Sequence, residues 1–143
     1  MANNYTECSE ILRISKRQVK RAEAIIAEES LAIRKDRAAE DGGAAEDYGI
    51  GVVVEILPEG VWFHHLESFD IESAVRIAQR LVDDLKIAEP FCMTWAHHCD
   101  RPRLGEFGGG GVIVRRGERP SYVDAHDSVN KRLMMLQRRS RDR

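Results

Sequence analysis

The hydrophobic pattern of the first forty residues is that of one long helix. Between residues 6 and 40, apolar side chains recur at seven-residue intervals, at Leu12, Val19, Ile26 and Ile33. A seam that repeats every seven residues is typical of a coiled coil. With Thr6 as capping residue, the pattern predicts a helix of about 35 residues, roughly 50 Å long.

Such a helix is longer than a domain of this size is wide. We therefore expect a homo-oligomer whose long helices pair along the four seam residues; the alternative is a broken helix folded back on its own sheet. The small and polar stretch 38–47 is typical of a linker. These features divide the chain into a helical oligomerisation segment with its linker, 1–45, and an α+β domain, 46–143.

Shorter apolar runs with other periods follow the linker. The runs 50–57 and 61–66 are separated by Pro58-Glu59-Gly60, which predicts a β-hairpin. Residues 71–88 carry apolar side chains at helical spacing, with Ser68 or Asp70 as cap and Pro90 after the end. The hairpin and the helix that follows it are expected to pack together.

The last third of the chain repeats the order of two strands and a helix. The runs 91–97 and 111–116 predict strands, and residues 122–139 predict a helix capped by Asp124 or Asp127. In that helix Val129, Leu133 and Leu136 are expected to face the core. The full order predicts an α+β fold: a long N-terminal helix, an antiparallel ββαββ sheet domain and a C-terminal helix.

Composition fits one soluble domain with a charged surface. Of 143 residues, 43% are hydrophobic and 32% are charged, and no apolar run reaches the roughly 18 residues that a membrane span needs. The chain does not begin like an export signal, and three irregularly spaced cysteines do not resemble a disulfide framework. We expect a cytoplasmic protein without membrane contact. Its charge is uneven, with an acidic middle and a basic C-terminal tail.

The connection between the last two predicted strands has the strongest candidate chemistry. Arg101 and Arg103 flank a stiff Pro102, and paired guanidiniums recognise phosphate or carboxylate. Glycines in an open loop can present bare backbone N–H groups to an anion, histidines add hydrogen bonds, and aromatic rings offer stacking faces. The predicted ligand site comprises Trp95, His97, His98, Arg101, Arg103, Glu106, Phe107, Gly108, Gly109 and Gly110.

Other functions of this stretch remain open. The four-glycine run matches neither the GxxxxGK[ST] phosphate loop nor the GxGxxG fingerprint, and no helix follows it directly. A loop that faces a partner protein, or one with a purely structural role, explains the same residues. The prediction is binding of an anionic, nucleotide-like ligand without turnover, and no cofactor is assigned.

The residues support an enzyme or a nucleic-acid-binding protein less well than they support a ligand-binding protein. Cys92, His97, His98 and Cys99 could contribute to a zinc site, but His64 and His65 form a poor second pair of ligands because they point to opposite faces of a strand. Cys99 with a neighbouring histidine could serve as nucleophile and base, although no third orienting group is evident. The basic tail lacks interleaved aromatic residues, which disfavours specific nucleic-acid binding.

The segment from Trp95 to Gly110 reads W-A-H-x-C-x-R-P-R-x-G-E-F-G-G-G. It resembles a pattern in uncharacterised small proteins encoded by phages and prophages, a resemblance that spans about residues 47–136 and carries no assigned activity. The resemblance implies a viral accessory protein in the host cytoplasm, one that inhibits or sequesters a component of bacterial defence.

Overall fold

The predicted α+β class is confirmed by the computed structural model, which describes residues 2–143; residue 1 of the predicted segment 1–45 lies outside the described residues. The strands are β1 (Asn4–Leu12), β2 (Val53–Leu57), β3 (Gly60–His65), β4 (Phe91–Cys99), β5 (Gly108–Val114) and β6 (Ser121–Asp124). The helices are α1 (Val19–Asp41), α2 (Ile71–Asp84) and α3 (Ala125–Arg141).

All six strands form one antiparallel sheet in the order β2-β3-β1-β4-β5-β6. The hairpin of β2 and β3 is confirmed, with Val54 opposite Phe63. The first strand of the chain inserts between β3 and β4, with Leu12 opposite Val61 and Thr6 opposite His97. The N-terminal segment is therefore part of the sheet.

The predicted helix over residues 6–18 is wrong. Residues 4–12 are strand β1, a short 3-10 turn covers Lys16–Gln18, and the α-helix begins at Val19. Thr6 is not a helix cap; the backbone N–H of Ser15 instead donates to Oε1 of Gln18 at 2.9 Å. Strand pairing prevails because both edges of this segment gain a hydrogen-bonded neighbour, which a projecting helix would lack.

The seven-residue seam does not form one exposed line for pairing between copies. Leu12 is buried on a strand and Ile33 is buried on α1, where both contribute to this chain's own core. Ile26 is partly buried and packs against the same core. At 23 residues, α1 is about 35 Å long, so it does not project as the predicted 50 Å helix would.

The core lies between the sheet and the two helices α1 and α2. Its fully buried side chains include Ile25 on α1, Ile77 and Leu81 on α2, and Phe63 and Met93 on the sheet. Of the two predicted caps, Ser68 and Asp70, it is Asp70 that caps α2, accepting from the Ser73 backbone N–H at 3.0 Å. None of the helices in the described part of the chain is long and apolar enough to cross a membrane.

Arginines on α2 join the two helices on their outer side. Arg76 Nε lies 2.8 Å from Glu29 Oε2, and its Nη1 lies 2.7 Å from Asp36 Oδ2. Arg80 reaches Glu29 at 3.0 Å and also pairs with Glu28. Partly exposed pairs of this kind contribute little each, so α1 and α2 are held mainly by their buried apolar faces.

The predicted linker is short and anchored. Helix α1 continues to Asp41 and ends at Gly42, whose φ of 86° favours glycine. Arg37 then donates to the Gly49 carbonyl and to the Asp70 carboxylate, and its Nη2 lies 3.2 Å from Ser73 Oγ. The segment after α1 is thus fastened to the start of α2.

Several boundaries near the C-terminus differ from the predictions. Strand β4 continues through Cys99, β5 begins already at Gly108, and residues 121–124 form β6 instead of the start of a helix. Asp124 caps α3, accepting from the Asp127 backbone N–H at 3.0 Å. The expectation that α3 faces the core is wrong, because every residue of this helix is exposed.

Candidate ligand-binding site

A cavity of about 280 Å³ lies where the N-terminal end of β1 meets the C-terminal end of β4. Antiparallel pairing sets Tyr5 opposite His98 and Thr6 opposite His97, and β5 places Gly108 on the other side of His97. The connection 100–107 and the first turn of α3 complete the wall. The lining residues are Asn4, Tyr5, Thr6, His97, His98, Gly105, Glu106, Phe107, Gly108 and His126.

The two histidines of β4 are oriented by residues of β1. Nδ1 of His97 forms a hydrogen bond of 2.9 Å with the Thr6 hydroxyl. Nε2 of His98 lies 3.1 Å from Glu7 Oε1, and its ring stacks on Tyr5 at a centroid distance of 5.0 Å. In the part of the chain that the structure describes, the second ring nitrogen of each histidine has no hydrogen-bond partner. Because neighbouring residues of a strand point to opposite faces, the two rings would contact different parts of a ligand at this end of the sheet.

Glu106 brings a carboxylate to the cavity wall. Its Oε2 is buried and has no hydrogen-bond partner among residues 2–143. A buried carboxylate oxygen without a donor is costly, so a bound group that donates a hydrogen bond would stabilise this arrangement. Glu106 is thus suited to a hydroxyl or amino group of a ligand.

His126 ties the start of α3 to the wall of the cavity. Its Nε2 lies 2.6 Å from the carbonyl oxygen of Phe107. Gly108 leaves room for this contact, because a Cβ there would come within 3.0 Å of the same Nε2. The position of His126 depends on a contact across 19 residues that no local sequence pattern reveals.

Arg101 and Arg103 do not line the cavity, although they belong to the connection that contributes Gly105, Glu106 and Phe107 to its wall. Both are exposed on the connection 100–107, where the Arg103 backbone N–H donates to the Arg101 carbonyl at 2.8 Å across Pro102. Neither guanidinium forms an ion pair within residues 2–143. Both guanidiniums are therefore exposed to solvent without a paired carboxylate in the described part of the chain.

The prediction that the glycine run forms an open loop is wrong. Gly108 to Gly111 belong to β5 and pair with β4 throughout, and Gly110 and Gly111 also pair with β6. A Cβ on Gly110 would lie 2.5 Å from the Val123 carbonyl oxygen and 3.2 Å from the Trp95 ring. Glycine is thus required here by the close approach of neighbouring strands.

Of the ten predicted site residues, five are brought together at the cavity. These are His97, His98, Glu106, Phe107 and Gly108. Trp95 instead packs partly buried against the core, and Gly109 and Gly110 lie farther along β5. The lining residues Asn4, Tyr5 and Thr6 were missed because they belong to segment 1–45, which was interpreted as an oligomerisation segment separate from the α+β domain.

The thiol nearest the cavity is a poor nucleophile. Burial raises the pKa of the Cys99 thiol, and the negative charge of the nearby Glu106 carboxylate raises it further. Catalytic cysteines need the opposite shift, which favours the thiolate. Within residues 2–143, no group of three or more histidine, cysteine or acidic side chains is arranged to hold a metal ion.

Thiol labelling checks this assignment. Cys92 is exposed, whereas Cys8 and Cys99 are buried, and the Cys8 thiol has its pKa raised to about 12, chiefly by burial. We expect one of the three thiols to react rapidly with a disulfide reagent at neutral pH, and Cys92→Ser to abolish the fast phase. Loss of that phase in Cys99→Ser instead would show an activated thiol at the cavity.

Comparisons of this chain with protein-family models, with curated proteins and with solved structures found no match. Its function is therefore inferred from the geometry and chemistry of the cavity.

Proposed function

We propose that the protein binds a small anionic, nucleotide-like ligand at this cavity and retains it without chemical conversion. The observation that carries the proposal is the buried, unpartnered carboxylate oxygen of Glu106 in the cavity wall, on the same connection as two exposed arginines without ion pairs. A ligand that satisfies both must donate hydrogen bonds at one end and carry negative charge at the other. Nucleotides combine sugar hydroxyls or base amino groups with phosphate in this way.

The other lining groups support the same ligand class. Tyr5 and Phe107 offer faces for a base, and the free nitrogens of His97 and His98 can bond to polar groups of the ligand. The volume of about 280 Å³ is near the lower limit of small-molecule sites, about 300–1,000 Å³. This size fits one nucleotide unit, with its phosphates reaching out to Arg101 and Arg103.

Retention is favoured over turnover by the chemistry at hand. The raised pKa of Cys99 keeps this thiol protonated at neutral pH, which removes the most obvious nucleophile. The protonated thiol supports retention of the ligand without turnover. The resemblance to phage accessory proteins supports a viral protein of the host cytoplasm that sequesters a nucleotide-like component of bacterial defence.

Thermal unfolding with a panel of mono-, di- and cyclic nucleotides tests the proposal. A ligand at a hundredfold excess over its dissociation constant stabilises by about 2.7 kcal/mol, or roughly 5–10 °C for a chain of this size. We expect Arg101→Ala with Arg103→Ala to abolish that shift without lowering the melting temperature of the free protein.

Arg116→Ala with Arg119→Ala is the matched control, because these arginines are also exposed and lie on another connection. The control should keep the full ligand shift. Equal loss in both double variants would indicate non-specific charge attraction, and no shift with any nucleotide would refute the proposal.

A second candidate, inhibition of a partner protein, is favoured by the outer face of the sheet. Exposed side chains alternate along β1, β4 and β5 on this face, at Ser9, Ile11, Cys92, Thr94, Ala96 and Ile113. Partly apolar, exposed sheet faces are suited to protein contacts. Under this function, Ile11→Asp should weaken capture of the target while Arg101→Ala with Arg103→Ala should not.

A further inference from the structure

Helix α3 presents an apolar face that nothing in its own chain covers. Val129, Leu133 and Leu136 are spaced four and three residues apart and are 67%, 50% and 47% exposed. With Ser128 and Arg132 they line one side of the helix, called here the α3 apolar face. Because these side chains share one side, the helix is amphipathic although none of it is buried.

Such a helix needs a partner surface. Most helix stability in proteins comes from packing an apolar face, since propensity alone gives only marginal helices in water. The 17 residues of α3 include neither long alanine runs nor a buried position. A surface outside its own chain would supply the missing packing.

Charge indicates what that surface is. Residues 125–143 contain six lysines and arginines against two aspartates, whereas residues 1–124 contain 16 against 22 acids. Two α3 helices packed face to face would bring like charges together, including Arg132 of each copy. The acidic body of another copy is electrostatically the better surface.

A suitable receiving surface lies between α2 and β6. This α2–β6 cleft encloses about 580 Å³ and is lined by Val75, Pro120 and Tyr122 with the acids Glu29, Glu72, Asp83 and Asp84. Tyr122 is 55% exposed, which leaves an aromatic surface for apolar side chains. Arg76 and Arg80 in the wall are paired with Glu29, and Arg80 is also paired with Asp84. Among the lining acids, Glu72 and Asp83 form no ion pair within residues 2–143 and are the ones left for a basic partner.

We propose that two copies of the chain associate reciprocally, the α3 apolar face of each lying in the α2–β6 cleft of the other. Helix α3 begins directly after β6, which forms one side of the cleft of its own chain. Each copy could therefore give its helix to the cleft of the other, which is an arrangement with two-fold symmetry. The interface goes beyond ligand binding. The same helix contributes His126 to the wall of the ligand cavity.

Sedimentation equilibrium of the full chain tests the interface. We expect the wild type to have twice the chain mass of 16.2 kDa, and Leu133→Asp to shift it to the monomer. Met134→Asp is the matched control, because Met134 is adjacent and 53% exposed but points away from the apolar face. Circular dichroism verifies that both variants keep the sheet. A wild-type monomer, or equal effects of both variants, would overturn the proposal.

Reversing charges on α3 and in the α2–β6 cleft tests whether the helix of one copy lies in the cleft of the other. Arg132→Glu and Glu72→Lys should each weaken dimerisation at least tenfold, and the double variant should recover to within about threefold of wild type. Lys131→Glu, the same charge change on the opposite side of α3, should have little effect. A dimer sensitive to Leu133→Asp but indifferent to Glu72→Lys would place α3 elsewhere and refute the cleft.

Vesicles test the competing partner for a basic amphipathic helix. The full chain is mixed with vesicles of phosphatidylcholine with phosphatidylserine, and with phosphatidylcholine alone. We expect the wild-type dimer to bind neither. A monomeric wild type that binds the anionic vesicles, with binding lost in Leu133→Asp, would mean that α3 meets a membrane surface and would overturn the proposed dimer.

Discussion

Gly110→Ala should lower the free energy of unfolding by about 3 kcal/mol, a large effect for the addition of one methyl group. The new Cβ would lie 2.5 Å from the Val123 carbonyl oxygen and 3.2 Å from ring atoms of Trp95. Because β4 and β6 hold this strand on both sides, neither neighbour can retreat without breaking its own pairing. Chemical denaturation followed by circular dichroism measures the loss.

Gly49→Ala is the matched control, since no atom lies within 4 Å of a Cβ there and its φ is not in the left-handed region. At such a site, alanine costs little or stabilises by about 0.4–1 kcal/mol through the unfolded chain. A difference between the two variants therefore isolates the close approach of the strands. Equal stability would mean that residues 108–110 form a loose loop, as the sequence first suggested.

The parts of the fold that the sequence predicted correctly are those specified by local pattern. The β2–β3 hairpin follows from two apolar runs about a Pro-Glu-Gly turn, and α2 follows from its apolar stripe with Asp70 as cap. In both, the residues that pair or pack lie close along the chain. Hydrophobic periodicity detects such elements directly.

The errors arise where distant residues decide the structure. Leu12 and Ile33 share a seven-residue spacing, yet one is buried on a strand and the other on a helix. Strand β1 is specified by β3 and β4, which follow it by some fifty and ninety residues. The glycine run likewise depends on two flanking strands, and from sequence alone a run without side chains has no hydrophobic period to read.

The part of the candidate site that was located correctly consists of residues that are close together in sequence. His97, His98, Glu106 and Phe107 are neighbours in sequence and remain neighbours at the cavity. The opposite wall comes from β1 and from His126, and the register of β1 against β4 determines which residues meet. Functional groups concentrated in one segment can be recognised from the sequence. The cavity wall that forms only when β1 pairs with β4 cannot.

Phe63→Ala should cost about 3–5 kcal/mol, the largest loss expected for a single truncation in this chain. Phe63 is fully buried on β3, and its ring lies 5.7 Å from that of Phe91 between centroids. It also stands between two paired strands, opposite Glu10 of β1 and Val54 of β2. Because the backbone is fixed on both sides, the cavity left by the ring cannot close.

Phe107→Ala separates burial from the substitution itself. Phe107 is 45% exposed, so the same truncation should change stability by less than about 0.5 kcal/mol. It should nevertheless weaken nucleotide binding, because base stacking on an aromatic ring contributes about 1–3 kcal/mol. Opposite responses of the two phenylalanines would place one in the core and the other in the site. If Phe107→Ala destabilised the free protein as much as Phe63→Ala, the ring would serve packing, and the cavity would lose its stacking surface.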